Sequence, residues 1–122
     1  MRKVLAPLLA LLLINANIPV ALAHSTLVSS NPQSGAILTK APDRVTLTFN
    51  ENLLLISDKN PNSISVKRSN GMSVTSGKPV VAGNSISTVL SIKTFSGRIK
   101  VTYRVVSADG HPISGQYFFT VK

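Results

Sequence analysis

Polar and apolar residues alternate along most of the chain after the first 25 residues, and helical periodicity is missing there. In five stretches, the residues of one parity are mainly apolar, whereas those between them are mainly serine, threonine, lysine or arginine. Alternation with a period of two predicts strands that bury one face. The sets of one parity are Val45, Leu47 and Phe49; Ile64 and Val66; Ile86, Thr88, Leu90 and Ile92; Ile99, Val101, Tyr103 and Val105; and Tyr117, Phe119 and Val121.

Turn-forming residues separate these stretches at short intervals. About seven short strands with turns this close together predict an all-β protein, an antiparallel sandwich or a Greek-key barrel. Asn70-Gly71 also predicts a hairpin with a two-residue turn. The apolar run at residues 53–56 does not alternate, and we expect it to be a buried segment that crosses between the sheets. The turn signals are Asn31-Pro32, Ser34-Gly35, Ala41-Pro42, Asn60-Pro61, Asn70-Gly71, Gly83-Asn84, Ser96-Gly97 and Gly110.

The beginning of the chain has the three parts of a secretory signal. Residues 2 and 3 are basic, residues 4–13 are nearly all apolar, and residues 21–23 form an Ala-Leu-Ala site of the kind that signal peptidase cleaves. An uncleaved membrane anchor is the alternative, but two asparagines and a proline between residues 15 and 19 interrupt the apolar run. We therefore expect a cleaved signal peptide.

With residues 1–23 removed on export, residues 24–122 would form one domain, since the length fits a single domain. No other stretch is apolar over a comparable length, so we expect the mature protein to be soluble, without a membrane span.

The chain is strongly basic, with 13 lysines and arginines, four aspartates and glutamates, and a net charge of +9. Nucleic-acid binding is not expected, because Lys67-Arg68 is the only adjacent basic pair after the signal and no aromatic stacking platform accompanies it. A solvated basic surface, useful against anionic components of the cell envelope, is the simpler interpretation.

Two residue types that bind soft metals are nearly missing. The chain has no cysteine, which excludes disulfides, thiolate metal sites and cysteine catalysis. Met72 is the only methionine after the signal, which excludes a thioether cluster for Cu(I).

Two histidines carry the candidate metal chemistry. Cleavage after residue 23 makes His24 the first residue, with a free α-amine of pKa about 8 beside its own imidazole. These two nitrogens can chelate Cu(II), which favours nitrogen ligands. In Asp109-Gly110-His111, a carboxylate and an imidazole two residues apart can point to the same side of an extended segment. A hairpin turn at Asp109-Gly110 is the alternative for that motif, and a turn can also carry ligands.

Together these donors form a hypothetical tetragonal Cu(II) site of three nitrogens and one oxygen, from His24, Asp109 and His111. Ni(II) is a weaker second metal for such a site. Glu51 and Ser107 are candidates to hydrogen-bond the ligands. The simpler alternative is that the histidines are ordinary surface residues.

Three blocks of sequence carry a resemblance to a known family. They are residues 23–35 (AHSTLVSSNPQSG), 41–51 (APDRVTLTFNE) and 103–115 (YRVVSADGHPISG). They resemble the CopC family of periplasmic copper-binding proteins, and the resemblance extends from His24 to Lys122, with a weak middle. It implies an immunoglobulin-like or cupredoxin-like β-sandwich in the periplasm that holds one Cu(II).

The resemblance also implies the same ligands, namely His24 with its amine, Asp109 and His111. The protein would then be a monomeric copper carrier or sequestering protein for copper resistance or homeostasis, not an enzyme. Because Met72 stands alone, we expect no methionine-rich Cu(I) site. Some family members are fused to a membrane permease, and since this chain ends at Lys122, we expect a CopD-like permease partner to be a separate protein.

Two other functional classes remain open from sequence. A copper monooxygenase also uses an N-terminal histidine chelate, although the anionic ligand Asp109 would stabilise Cu(II) against reduction and few aromatic residues are available to bind a polysaccharide. A metal-free adhesion or structural β-sandwich would use neither histidine.

Overall fold

The computed structural model describes residues 26–122, which form eight β-strands in two four-stranded sheets. The strand order is β1-β3-β6-β5 in one sheet and β2-β8-β7-β4 in the other. β2 runs parallel to β8, and the other paired strands are antiparallel. The strands are β1 (Leu27–Asn31), β2 (Ile37–Leu38), β3 (Arg44–Phe49), β4 (Ser63–Arg68), β5 (Val80–Ala82), β6 (Ser85–Val89), β7 (Gly97–Val106) and β8 (Pro112–Val121).

Part of the sequence interpretation concerns residues outside this range. The predicted signal at residues 1–23 and the predicted ligand His24 lie outside the described residues. Within residues 26–122, no helix is long and apolar enough to cross a membrane.

The core lies between the two sheets and is formed mainly by the alternating apolar residues that the sequence predicts to be buried. It includes completely buried side chains from β3, β6 and β7 and nearly buried ones from β8. The all-β sandwich is therefore confirmed. The structure has eight strands rather than about seven, and one of them, β2, has only two residues. The core residues of these four strands are Val45, Leu47, Phe49, Ile86, Ile99, Val101, Val105, Tyr117, Phe119 and Val121.

The apolar run at residues 53–56 joins the two sheets, but the prediction that it is buried is wrong for its second half. Leu53 is buried, whereas Leu55 and Ile56 are 56% and 50% exposed. Ile56 and Lys59 exchange two backbone hydrogen bonds, with N–O distances of 3.2 and 2.7 Å, which close a tight turn. This turn carries the chain to the surface before it can cover the core.

The strand predicted to reach Ile92 ends earlier, at Val89. Leu90 is still buried, but its NH donates to the carbonyl of Asp43, and the next two NH groups donate to the carbonyl of Val74. The backbone therefore changes its hydrogen-bonding partner after β6, and Ile92 is 38% exposed.

The predicted reversal at Asn70-Gly71 is present, but its loop has three residues rather than two. The NH of Arg68 donates to the carbonyl of Met72 (2.9 Å), and residues 69–71 lie between them. Gly71 has φ of +85°, a left-handed conformation that glycine adopts without steric cost. A three-residue hairpin loop commonly ends in such a residue.

Gly115 of β8 leaves room for the ring of Tyr103 on the inner face of the sheet. It lies directly opposite Tyr103 of β7. A methyl group at Gly115 would lie 2.5 Å from Cζ of Tyr103 and closer still to its hydroxyl oxygen. The Tyr103 ring is held edge-to-face against Phe49, with ring centroids 5.6 Å apart.

We expect Gly115→Ala to destabilise the protein by about 1–3 kcal/mol, because the rigid Tyr103 ring must move out of its packing to admit the methyl group. Urea unfolding followed by circular dichroism measures the change. Ser114→Ala, at the exposed neighbouring position, is the matched control and should be nearly neutral. Equal stabilities of the two variants would show that the Tyr103 ring is not confined.

Candidate metal centre

The predicted ligands Asp109 and His111 lie on the short loop between β7 and β8. The NH of Ser107 donates to the carbonyl of His111 (3.0 Å), and the NH of Gly110 donates to the carbonyl of Ser107 (2.8 Å). Gly110 has φ of +91°, which favours glycine. The motif therefore forms a hairpin loop, of three residues, and this loop brings the two ligand candidates together.

The side chains of Asp109 and His111 contact each other at the surface. Nδ1 of His111 is 3.0 Å from Oδ2 of Asp109. The side chain of His111 is 70% exposed, and that of Asp109 is 48% exposed. When Nδ1 carries the proton of this hydrogen bond, the lone pair of Nε2 faces away and can bind a metal. A metal bound by both side chains would therefore replace this hydrogen bond.

Ser107 holds the loop in place through hydrogen bonds of its buried hydroxyl. Its completely buried hydroxyl donates a hydrogen bond to Oδ1 of Asp109 and accepts one from the NH of His111 (3.3 Å). The same Oδ1 of Asp109 lies 3.4 Å from the NH of His111. Ser107, one of the two supporting residues suggested by the sequence, thus contacts both ligand candidates. Glu51, the other, forms no hydrogen bond to either of them among residues 26–122.

The carboxylate of Asp109 is held in its charged form. The hydrogen bond from Ser107 and then the one from His111 lower the pKa of Asp109 from 3.8 to about 2, against a small opposing effect of burial. Asp109 therefore offers a negatively charged oxygen at neutral pH.

The first described residue lies at the same end of the sandwich as this loop. The NH of Thr26 donates to Oδ1 of Asn50 (2.7 Å), and the NH of Asn50 donates to the carbonyl of Thr26 (3.1 Å). Two residues further on, the carbonyl of Asn52 accepts a hydrogen bond from the NH of Ala108 (2.8 Å). Residues 50–52 therefore connect the start of β1 to the loop that carries Asp109.

A buried asparagine supports the same region, and the sequence interpretation did not identify it. Oδ1 of Asn62 accepts a hydrogen bond from the NH of Val106 (2.8 Å), and its Nδ2 donates to the carbonyl of Leu54 (2.8 Å). Asn62 is 4% exposed, so these hydrogen bonds satisfy groups that water does not reach. The local sequence does not predict this role, because one partner, Val106, lies 44 residues away.

Asp109 and His111 supply one oxygen and one nitrogen donor. Within residues 26–122, no group of three or more histidine, cysteine, aspartate or glutamate side chains is arranged to hold a metal ion. A complete site would need donors from elsewhere, and the predicted donor His24 lies outside the described residues.

Comparisons with known proteins agree with the sequence resemblance. Residues 27–122 match the CopC domain family. The chain is 36% identical over 109 residues to copper resistance protein C of Escherichia coli, covering 84% of each chain. It is 32% identical over 103 residues to copper transport protein CutJ of Bacillus subtilis (strain 168), covering 81% of this chain and 18% of that protein.

The fold is also similar to a solved structure. The crystal structure of CopC from Methylosinus trichosporium OB3b superimposes with a TM-score of 0.69 at 28% sequence identity, covering 81% of this chain and 94% of that chain.

We expect Ser107→Ala to raise the pKa of Asp109 from about 2 toward 3.8, because the hydrogen bond from Ser107 is the largest cause of the lowering. NMR titration of the Asp109 carboxyl in the metal-free protein measures this. A carboxyl whose pKa is lowered by folding stabilises the native state above its unfolded pKa, and this contribution is lost as the pH falls from about 4 toward 2. The variant should therefore lose less stability than the wild type over that interval.

Ser114→Ala, an exposed serine of β8, is the control for this measurement and should leave the Asp109 titration unchanged. The same Asp109 pKa in wild type and Ser107→Ala would contradict the assigned role of the hydroxyl.

Proposed function

The chain belongs to the CopC family of copper resistance and transport proteins, and from that premise we propose that it is a periplasmic carrier which binds one Cu(II) ion. The observation that carries the proposal is the contact between Asp109 and His111 on an exposed loop. The copper ion is cargo here, to be captured and passed on.

We propose that the ligands are the α-amine and imidazole of His24, a carboxylate oxygen of Asp109 and an imidazole nitrogen of His111, with the hydrogen bond between Asp109 and His111 replaced by bonds to the metal. His24 precedes Thr26 by two residues, a span of up to about 7 Å of extended chain. Thr26 is linked through residues 50–52 to Ala108, next to Asp109. This connection supports a site in which His24 completes a set of three nitrogens and one oxygen, which suits tetragonal Cu(II).

Each part of the loop has a role in capture. The negative charge of Asp109 attracts the cation, and Ser107 holds that carboxylate in place. Exposure of both side chains lets the ion enter and leave without unfolding of the core. Because the amine must lose its proton to bind, with an ordinary pKa of about 8, affinity should fall as the pH is lowered.

A carrier fits these features better than a copper monooxygenase does. The anionic ligand Asp109 stabilises Cu(II) relative to Cu(I), whereas oxygen activation requires reduction of the metal. A polysaccharide-binding face needs exposed aromatic rings. Of the six aromatic residues in the chain, four are buried: Phe49, Phe95, Tyr117 and Phe119.

The oxidation state of the cargo follows from the available donors. Met72 is 55% exposed on the hairpin loop after β4, and residues 26–122 contain no other methionine. A lone thioether is a weak ligand, so we propose that the protein has no Cu(I) methionine site.

We further propose export by the signal at residues 1–23 and delivery, as a monomer, to a separate CopD-like copper permease of the inner membrane. The relative CutJ supports this route, because a region matching this chain makes up 18% of that copper transport protein. In that protein, a domain of this kind is part of a longer chain.

Titration of the exported, N-terminally sequenced protein with Cu(II), followed by electron paramagnetic resonance, tests the proposal. We expect a one-to-one complex with a tetragonal, nitrogen-rich signal. Loss of a residue that hydrogen-bonds a metal ligand typically weakens metal binding by about 10- to 100-fold, so removal of a ligand itself in His24→Ala, His111→Ala or Asp109→Asn should weaken it by roughly 100-fold or more.

Two controls isolate the ligands. Asp58→Asn removes the same charge from an exposed turn and should leave the affinity unchanged. One glycine added before His24 keeps both imidazoles but displaces the amine from its chelate ring, so it should weaken binding as His24→Ala does. Unchanged affinity in His24→Ala or His111→Ala would falsify the ligand assignment.

A further inference from the structure

The outer surface of the sheet β2-β8-β7-β4 carries a concentrated positive charge. Alternate residues of β7 are buried in the core, so Arg98, Lys100 and Arg104 point outward, and all three are exposed. Lys67 of β4 is exposed on the same surface, where it pairs with Lys100 across the strands. These four side chains define what we call the basic face.

Nothing on the strands of this sheet balances that charge. The chain has only four acidic residues, and all of them lie in loops outside β2, β4, β7 and β8. They are Asp43, Glu51, Asp58 and Asp109.

Two like charges lie next to each other on the basic face, and their repulsion does not help the protein to fold. Lys67 lies directly opposite Lys100, and like charges in this relation destabilise a sheet. On the other side of Lys100 stands Phe118 of β8, whose ring is already covered by the guanidinium of Arg98 at 3.8 Å from its centre. An anion bound from outside would relieve this repulsion.

The opposite surface of the sandwich is different, so the basic face is not a general property of the fold. On β3 and β6, the outward positions are occupied mainly by threonine and serine. Arg44, at the beginning of β3, is the only charged residue among the positions of these two strands. The charge is thus segregated onto one of the two broad surfaces.

The shape of the basic face also fits a planar partner. Alternate residues along a strand are spaced by about 6.5–7 Å, so the basic side chains form a regular array on a sheet. At one end of the array, an open groove of about 450 Å³ lies between Lys67, Arg68, Arg98, Lys100 and Phe118. It can admit a phosphate group, which arginine and lysine bind by charge-assisted hydrogen bonds.

We propose that the basic face docks on the anionic lipid headgroups of a membrane surface, with a lipid phosphate in the groove beside Lys67 and Lys100. This goes beyond copper binding and does not depend on it. Arg104 lies three residues before Ser107 on β7, so docking through this face would hold the loop of Asp109 and His111 next to the membrane.

Vesicle co-sedimentation tests the docking with the exported protein at 0.1 M salt. The vesicles are phosphatidylcholine alone or phosphatidylcholine with phosphatidylglycerol. We expect binding to the anionic vesicles only, lost at 0.5 M salt because charge attraction is screened. Lys67→Gln/Lys100→Gln should lower the partition coefficient on the order of tenfold or more.

The matched control is Lys59→Gln/Lys78→Gln, which removes the same charge from exposed positions outside the basic face. It should retain most of the binding. Equal losses in the two double variants would overturn the proposal, because net charge alone would then account for binding. Saturable binding of inorganic phosphate to the protein, without binding to the anionic vesicles, would also overturn it, in favour of a discrete phosphate site.

The orientation of docking can be measured separately, since the chain has no cysteine of its own. A polarity-sensitive dye on Gln116→Cys, at an exposed outward position of β8, should shift its emission on anionic vesicles. The same dye on Thr46→Cys, at an outward position of the other sheet, should not. A shift at Thr46→Cys, or no shift at Gln116→Cys, would contradict docking through the basic face.

Discussion

The antiparallel pairing of β7 with β8 is the constraint on which the rest of the structure depends. The two strands pair continuously from Gly97↔Val121 to Val106↔Pro112. This register places Val101, Val105, Tyr117 and Phe119 in the core and the basic residues of β7 outside. It also closes the loop that brings Asp109 to His111. If β7 slipped by one residue, all its side chains would change faces. Its apolar residues would be exposed, and its arginines and lysine would be buried.

The sequence predicted those features of the fold that depend only on residues close together in the chain. The alternation of Val45, Leu47 and Phe49 identified a buried strand face because the period of side-chain direction is fixed by backbone geometry. The exposure of Leu55 and Ile56 was missed, since it depends on a turn closed by Lys59 and on where the opposite sheet ends.

In the candidate site, too, some features could be predicted from neighbouring residues and others only from the fold. Asp109 and His111 are separated by one glycine, so their proximity could be inferred from the motif itself. The support from Asn62, by contrast, joins Leu54 to Val106, and its importance could not be deduced before the fold was known. The link from Thr26 through residues 50–52 to Ala108 likewise exists only because two distant strands end side by side.

A protein as basic as this one must attract a cation by local means. At about 0.1 M salt, charges on a protein surface are largely screened beyond about 10 Å, so nearby donors decide whether an ion is captured. The carboxylate of Asp109, held in place by Ser107, supplies the negative charge on the loop. The nearest outward basic residue along β7 is Arg104, and its positive charge opposes capture.

The two proposed activities are therefore coupled by electrostatics through β7. Anionic lipid on the basic face would neutralise Arg104 and its neighbours, which lowers the repulsion felt by a copper ion approaching Asp109. Thermodynamic linkage makes the effect reciprocal: copper on the loop adds positive charge and strengthens docking by the same factor. A carrier arranged in this way would hold its cargo most tightly at the membrane surface, so release to a membrane partner would require that partner to offer stronger copper ligands.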